Sequence, residues 1–162
     1  NAHTIIRDNA ASRGTTIHSL IELLKTSDQT LKEVPEQFQG YYNAFKSWVE
    51  KNKPEFLEQE KTLFNDDLKI AGTCDGIVKI GDKTYLIDFK TNKTGSIYNE
   101  VELQLSAYKF MAEEQGIKLD GTLAVGLAED GKFTEAYMNY RLDVFGHALE
   151  LWIGRTKKNV RR

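Results

Sequence analysis

The chain has 162 residues, of which 40% are hydrophobic and 28% charged, so we expect one compact domain with its own hydrophobic core. No apolar run approaches the about 18 residues that a membrane span needs, and the single cysteine, Cys74, excludes a disulfide framework or a four-cysteine metal centre within the chain. The net charge of −2 argues against a general polyanion binder, although residues 141–162 carry six Lys or Arg against two acidic residues. These basic residues are typical of a solvated helix terminus. The alternative interpretation is that they contact nucleic acid.

Two helical patterns open the chain, and a β pattern follows them. Apolar side chains recur at helical spacing in residues 12–25 and again in residues 37–52, where Pro54 stops the second helix. Residues 55–90 change to short β-favouring runs separated by turn signals at residues 65–67 and at Gly81-Asp82. This texture predicts a three-strand antiparallel meander.

The second half of the chain predicts a crossover to a parallel strand. Residues 98–115 form a helical pattern, and residues 122–128 are almost wholly apolar, as in a strand buried on both faces. A strand that follows a crossover helix lies parallel to the strand before it. Residues 133–138 predict one more strand and residues 143–157 a closing helix. The apolar side of the crossover helix carries Val101, Leu105, Tyr108 and Ala112. The predicted fold is α/β, with a mixed sheet flanked by helices.

The hairpin around Gly81-Asp82 carries the chemistry. A two-residue type II′ turn there would place Asp75 opposite Asp88, whereas a three-residue loop would make the pair diagonal. The same register puts Asp75, Asp88 and Lys90 on one face. The other face is then apolar and consists of Cys74, Gly76, Val78, Ile80, Tyr85, Ile87 and Phe89.

Two opposed aspartates predict a cation between them. Their Cβ atoms would lie about 4.5 to 5.5 Å apart, and like charges at that distance destabilise a sheet unless something compensates. Mg²⁺ prefers carboxylate and water oxygens, so two aspartates and a substrate phosphate suit it. Lys90, about 6.5 to 7 Å further along the strand, can orient a water and stabilise negative charge. An Asp-x-Lys segment is also common on solvated strand edges, but the opposed Asp75 favours phosphodiester hydrolysis.

Four segments carry a family resemblance. GTCDG at residues 72–76, followed after the hairpin by IDFKT at residues 87–91, resembles the core motif of the PD-(D/E)XK nuclease superfamily. RGTTIH at residues 13–18 resembles the RGxxxH helix of the RecB-like branch, and QLSAY at residues 104–108 resembles its QxxxY helix. The segments occur in the family's order. The resemblance implies a restriction-endonuclease-like core.

The resemblance also implies residue roles. One or two Mg²⁺ or Mn²⁺ ions would be held by His18, Asp75, Asp88 and the main-chain carbonyl of Phe89, while Lys90 positions the attacking water. Contacts to DNA would come from Gln104, Tyr108 and Arg13, with Lys93 as a further candidate. Glu58 and Glu60 share a strand face by alternation, and Glu60 is a further candidate ligand, although exposed strand carboxylates are common. Tyr108 fits core packing equally well.

The sequence departs from the family pattern in two respects. Phe89 stands where many members have an acidic residue, and the chain cannot hold the four-cysteine iron–sulfur cluster of some members. We expect residues 1–53 to form a helical N-terminal part, residues 54–140 the catalytic core, and residues 141–162 a C-terminal helix and basic tail. All belong to a single nuclease domain.

The expected activity is that of a metal-dependent DNA exonuclease, acting on single-stranded ends like the small cluster-free enzymes of phages and of mitochondrial genome maintenance. A double-strand end-resecting exonuclease, a structure-specific endonuclease, an enzyme acting on another phosphate ester and a catalytically silent DNA-binding module are the alternatives. DNA is the expected partner, a replication or recombination protein is a candidate partner, and no membrane contact is expected. The expected location is the cytoplasm of a bacterium or of a phage-infected cell, or the mitochondrial matrix if a transit segment precedes Asn1.

Overall fold

The computed structural model describes residues 34–138, together with residues 143 and 146. The predicted helix at residues 12–25 and nearly all of the predicted closing helix lie outside these residues. Within the described part, no helix is both long enough and apolar enough to span a membrane.

Two helices and five strands form the described part. A short 3-10 helix, Glu36–Phe38, leads into α1, Gln39–Asn52. This helix ends where Lys53 takes a left-handed conformation, with φ 45°, one residue before Pro54. The second helix, α2, spans Glu100–Glu114. The strands are β1 (Glu55–Asn65), β2 (Ile70–Ile80), β3 (Lys83–Asn92), β4 (Gly121–Ala128) and β5 (Phe133–Met138).

The strands form one mixed sheet in the order β1-β2-β3-β4-β5. β1, β2 and β3 form an antiparallel meander, β4 lies parallel to β3, and β5 returns antiparallel to β4. The parallel pair requires a crossover, which α2 provides. The α/β class, the meander and the parallel fourth strand predicted from the sequence are therefore confirmed.

The sheet is covered on both faces. Side chains of β4 alternate between two cores: Leu123 and Val125 pack with α1, and Ala124 packs with α2. Because successive strand residues point to opposite faces, the two helices lie on opposite sides of the sheet. We call these the α1 face and the α2 face. A strand buried on both sides explains why β4 reads as a continuous apolar run.

The predicted hairpin register is confirmed. Gly76 pairs with Ile87, Val78 with Tyr85, and Ile80 with Lys83, which leaves Gly81 and Asp82 as the turn. Gly81 has φ 63°, as the first central residue of a type II′ turn requires. Val78, Ile80, Tyr85, Ile87 and Phe89 all pack in the α1-face core, as predicted.

The predicted face of Cys74 is wrong. Cys74 packs in the α2-face core with Leu63 and Leu86, opposite to Val78 on the same strand. The alternation of β2 is therefore interrupted between Cys74 and Val78. The neighbouring strand is irregular at the same level, since Glu60 of β1, which lies between the partners of Cys74 and Gly76, has φ 45°.

The prediction that Glu58 and Glu60 share a face assumed a regular strand, whereas β1 is irregular at Glu60, which has φ 45°. Glu58 forms an ion pair with Lys61 at 2.9 Å, although residues three apart in a regular strand point to opposite faces. The alternation on which that prediction rested therefore does not extend through Glu60.

Candidate active site

Phe89 packs at the centre of β3, the strand that carries the IDFKT segment. Its ring is buried against α1, with centroids 5.5 Å from Phe45 and 5.3 Å from Trp48, both in edge-to-face geometry. Since β3 alternates, burying Phe89 on the α1 face directs Asp88 and Lys90 to the α2 face. The aromatic residue between Asp88 and Lys90 thus has a packing role.

β2 and β3 separate at the candidate site. Their regular pairing ends at Gly76 and Ile87, so Asp75 and Asp88 are not a paired position of the ladder, and the expectation of directly opposed aspartates is corrected to this extent. Instead, Asp75 Oδ2 accepts a hydrogen bond from the backbone N–H of Phe89 at 2.6 Å. The carboxylate of Asp75 therefore reaches β3 one residue beyond Asp88, in the opening between the two strands.

The backbone of Phe89 faces the same opening. Its N–H is directed to Asp75, and the N–H and C=O of one strand residue point toward the same neighbouring strand. The carbonyl oxygen of Phe89 therefore leaves β3 on the edge that faces Asp75.

Asp88 is a buried carboxylate that forms an ion pair with Lys90. Only 5% of the residue is exposed, and its Oδ2 lies 2.8 Å from Lys90 Nζ. The angles of this contact are not those of a hydrogen bond, and no described residue donates one to Oδ2. A buried carboxylate oxygen without a hydrogen-bond donor is costly unless a positive charge compensates it, and the ammonium group of Lys90 supplies that charge.

Lys90 is held from its other side by α2. Its Nζ donates a hydrogen bond to Gln104 Oε1 at 3.0 Å, and Gln104 Nε2 donates one to the hydroxyl of Tyr108 at 3.1 Å. Gln104 and Tyr108 are one helical turn apart and share a face of α2. The side chains Asp88, Lys90, Gln104 and Tyr108 thus form one polar chain from the sheet to the helix.

Tyr108 combines both of the roles predicted for it. Its ring packs against the α2-face core while its hydroxyl ends the polar chain. Burial raises the pKa of the Tyr108 phenol, and the nearby Asp88 carboxylate acts in the same direction. The ring also lies over Gly72, where an added Cβ would stand 2.5 Å from Tyr108 Cε1. Gly72 therefore leaves the space that the ring occupies.

Cys74 lies beside the site but suits neither nucleophilic nor ligand chemistry. It is fully buried, and burial raises the pKa of its thiol to about 11. Since the thiolate is the reactive and metal-binding form, Cys74 stays a neutral core side chain at ordinary pH.

A cavity opens from the site along the start of α2. It has a volume of about 530 Å³, and Lys90, Asn92, Tyr98 and Gln104 contribute to its wall. Another cavity, of about 450 Å³, lies between α1 and β1 and is lined by Phe45, Val49 and Phe56 among others. The latter belongs to the α1 side, away from Asp88 and Lys90.

The described structure links Asp88, Lys90, Gln104 and Tyr108 through side-chain contacts, and Asp75 contacts the backbone of Phe89, the residue between Asp88 and Lys90. Of the other candidates, Glu60 is exposed and stands opposite Asp75 in the strand register, and Lys93 is exposed in the loop after β3. His18 and Arg13 lie outside the described residues. Within residues 34–138, no group of three or more His, Cys, Asp and Glu side chains is close enough to hold a metal ion.

Sequence reasoning missed three residues at this site. Gly72 accommodates Tyr108, Asn92 ties together the loop after β3, and Tyr98 presents an exposed ring in the cavity wall. A glycine on a strand signals a close approach of another group, which was the available clue for Gly72. No sequence signal indicated Asn92 and Tyr98, because their roles depend on the path of the loop after β3.

Comparisons with known proteins add little. No family model and no curated protein sequence matches the chain. Among solved structures, the chain is similar to the protein described as "Crystal structure of SSO0001", with 19% sequence identity and a TM-score of 0.43. The match covers 68% of this chain and 53% of that one, so the chain spans about half the length of this structural neighbour.

Proposed function

We propose that the protein is a metal-dependent DNA exonuclease of the RecB-like PD-(D/E)XK type, with a restriction-endonuclease-like core, and that it acts on single-stranded ends. Two contacts where β2 and β3 separate support the proposal: Asp75 accepts a hydrogen bond from the backbone N–H of Phe89, and Asp88, the preceding residue, forms an ion pair with Lys90. Two carboxylates and an ammonium group at a strand opening suit phosphodiester hydrolysis, because the first bind a cation and the last stabilises negative charge.

The donor set suits a hard divalent cation. Asp75, Asp88 and the carbonyl of Phe89 supply oxygen atoms, and His18 is a further candidate ligand outside the described residues. Oxygen ligands are those preferred by Mg²⁺ and accepted by Mn²⁺. Asp88 Oδ2, which lies 2.8 Å from the Lys90 ammonium group, already faces a positive charge in this structure. When bound, such an ion supplies Lewis-acid polarisation of the phosphate and lowers the pKa of a water molecule.

The protein's own groups supply orientation. Lys90, held between Asp88 and Gln104, presents an ammonium group that can align the attacking water and stabilise charge on the phosphate oxygens. Asp75 and Asp88 are negative, so they repel a phosphate in the absence of a cation. We therefore expect tighter binding of DNA in Ca²⁺ than in EDTA.

Incubation with Mg²⁺ of end-labelled single-stranded and double-stranded oligonucleotides and of a closed circular DNA tests the function. We expect release of short products from single-stranded ends and no cutting of the circle. Cutting of the circle would identify an endonuclease, and preferential loss of double-stranded ends would identify a resecting exonuclease. DNA binding without cleavage of any substrate would indicate a catalytically silent module.

Two substitutions connect the activity to the site. Asp88→Ala and Lys90→Ala should each abolish Mg²⁺-dependent cleavage while the fold is retained, as monitored by circular dichroism. Asp82→Ala and Lys79→Ala are matched controls, because these residues are exposed at the other end of the same hairpin. Cleavage retained by Asp88→Ala or Lys90→Ala would reject the assigned chemistry.

Cation binding can be measured apart from activity. A ligand that binds only the folded state stabilises it by about 2.7 kcal/mol at a hundredfold excess over its Kd. We expect Mn²⁺ to raise the melting temperature of the wild-type protein and to leave that of Asp88→Ala unchanged. An equal response of the two proteins would place the cation elsewhere.

A further inference from the structure

Tyr98 is a large exposed side chain beside the candidate active site. It is 62% exposed, more than Leu57, Phe64 or Tyr137, and lies in the wall of the 530 Å³ cavity that also includes Lys90 and Gln104. Exposed aromatic rings beside a basic group are the elements with which proteins bind single-stranded nucleic acids, through base stacking and phosphate contact.

The loop that carries Tyr98 is held in place by hydrogen bonds. Asn92 accepts from the backbone N–H groups of Thr94 and Ser96 and donates to the Ser96 carbonyl at 2.7 Å. Thr134 of β5 donates to the carbonyl of Gly95. The carbonyl of Tyr98 accepts from Val101 N–H in the first turn of α2, at 3.1 Å. The main chain of Tyr98 is therefore fixed while its ring faces solvent.

The charges of the cavity favour a neutral planar ligand over a second phosphate. Lys90 contributes one positive charge and Glu100 one negative charge to the wall. The amide oxygen of Asn92 already accepts hydrogen bonds from the backbone N–H groups of Thr94 and Ser96, and that of Gln104 accepts one from Lys90, which leaves few acceptors for base edges. An aromatic face with few available hydrogen-bonding groups binds bases by stacking, and this is independent of sequence.

We propose that Tyr98 stacks against a base of single-stranded DNA next to the phosphate that is cleaved at Lys90. This inference rests on the proposed function and adds a base-binding subsite to it. A base in a duplex is already stacked between its neighbours, so a subsite of this kind favours a single strand over a double strand.

Substitution of Tyr98 in the full chain tests the subsite. Under single-turnover conditions with Mg²⁺, Tyr98→Leu should cleave a single-stranded oligonucleotide about tenfold more slowly at subsaturating DNA, whereas Tyr98→Phe should stay within about twofold of wild type. Tyr137→Leu is the matched control, because Tyr137 is 52% exposed but belongs to β5 and not to the cavity wall. It should cleave at the wild-type rate.

A substrate series tests the same contact in the wild-type protein. Oligonucleotides that carry one abasic nucleotide at successive positions from the end should be cleaved more slowly when the missing base is the one that stacks on Tyr98. The Tyr98→Leu protein should not distinguish the abasic substrate at that position from the intact one.

The outcomes separate the two proposals. If the wild-type protein cleaves no DNA, the proposed function fails and the subsite fails with it. If the wild-type protein cleaves single strands but Tyr98→Leu matches it, or if no abasic position slows the wild-type protein, the subsite alone is rejected and the nuclease proposal stands.

Discussion

Gln104 accepts a hydrogen bond from Lys90 at 3.0 Å, and this contact joins the crossover helix to the candidate catalytic strand. The family resemblance implies a DNA contact for Gln104. The geometry adds that the amide orients Lys90, since its oxygen faces the ammonium group and its nitrogen donates to Tyr108.

The role of Gln104 can be read from kinetics. Gln104→Leu removes one hydrogen bond to Lys90, which is worth up to about 1.5 kcal/mol, so kcat should fall about tenfold. KM for DNA should stay constant, and Gln104→Glu, which keeps an oxygen acceptor, should retain more activity than Gln104→Leu. A raised KM with an unchanged kcat would show instead that Gln104 acts by holding DNA.

Asp75 has a structural contact that two substitutions can separate from its proposed cation-binding role. Asp75→Ala leaves the backbone N–H of Phe89 without its present acceptor, which should lower the free energy of unfolding by about 1 to 3 kcal/mol. Asp75→Asn keeps an oxygen acceptor and should cost less than half as much. Urea denaturation measures this difference. Both variants should lose Mg²⁺-dependent cleavage. If the two variants are equally stable, the hydrogen bond from Phe89 to Asp75 contributes little to the free energy of unfolding.

The space over Gly72 predicts a coupling between β2 and α2. Gly72→Ala would place a Cβ 2.5 Å from Tyr108 Cε1, so the ring must move and the free energy of unfolding should fall by about 1 to 3 kcal/mol. Nuclease activity should fall as well, because Tyr108 supports Gln104.

A double-mutant cycle checks the cause. Gly72→Ala should cost clearly less in a Tyr108→Ala background, since the clash is then absent. Gly121→Ala is the control, because its added Cβ would stand 3.4 Å from the Tyr85 ring, an ordinary contact. A cost for Gly72→Ala that does not depend on Tyr108 would contradict this explanation.

The raised pKa of the Cys74 thiol predicts that the folded protein loses stability at alkaline pH. Burial raises the pKa of its thiol from 9.0 to about 11, so between these values the unfolded chain loses a proton that the folded chain keeps. The stability that this difference confers is complete below pH about 9 and is lost as the pH rises toward about 11, and it is on the order of 3 kcal/mol.

Urea denaturation at a series of pH values measures this contribution. The free energy of unfolding should fall more steeply between pH 8.5 and 10.5 in the wild-type protein than in Cys74→Ala, since other groups titrate in both proteins. The cavity left by the substitution changes the absolute stability but not this slope. Parallel curves would show that the thiol titrates alike in the folded and unfolded states.

Much of the architecture is readable from local patterns. The type II′ turn at Gly81-Asp82 sets which residues pair in the hairpin, and the apolar run of β4 indicates burial on both faces. The crossover through α2 then requires β4 to be parallel to β3, as the structure has it.

The candidate site was predictable only in part. The motif residues Asp75, Asp88, Lys90, Gln104 and Tyr108 were each selected from the sequence, and in the structure the last four form a chain of contacts while Asp75 contacts the backbone of Phe89. The face of Cys74 was not predictable, because regular alternation along β2 is interrupted between Cys74 and Val78 and no residue pattern there signals the interruption.

The amino-acid sequence by itself determined the alternation that places Asp88 and Lys90 on one face, because side-chain direction along a strand and the register of a tight turn are local properties. Only the tertiary structure decided that β2 leaves β3 at Asp75, that Gln104 reaches Lys90, and that Gly72 makes room for Tyr108. These contacts join residues distant in sequence, and they exist because packing brings separate elements to within a few ångströms of one another.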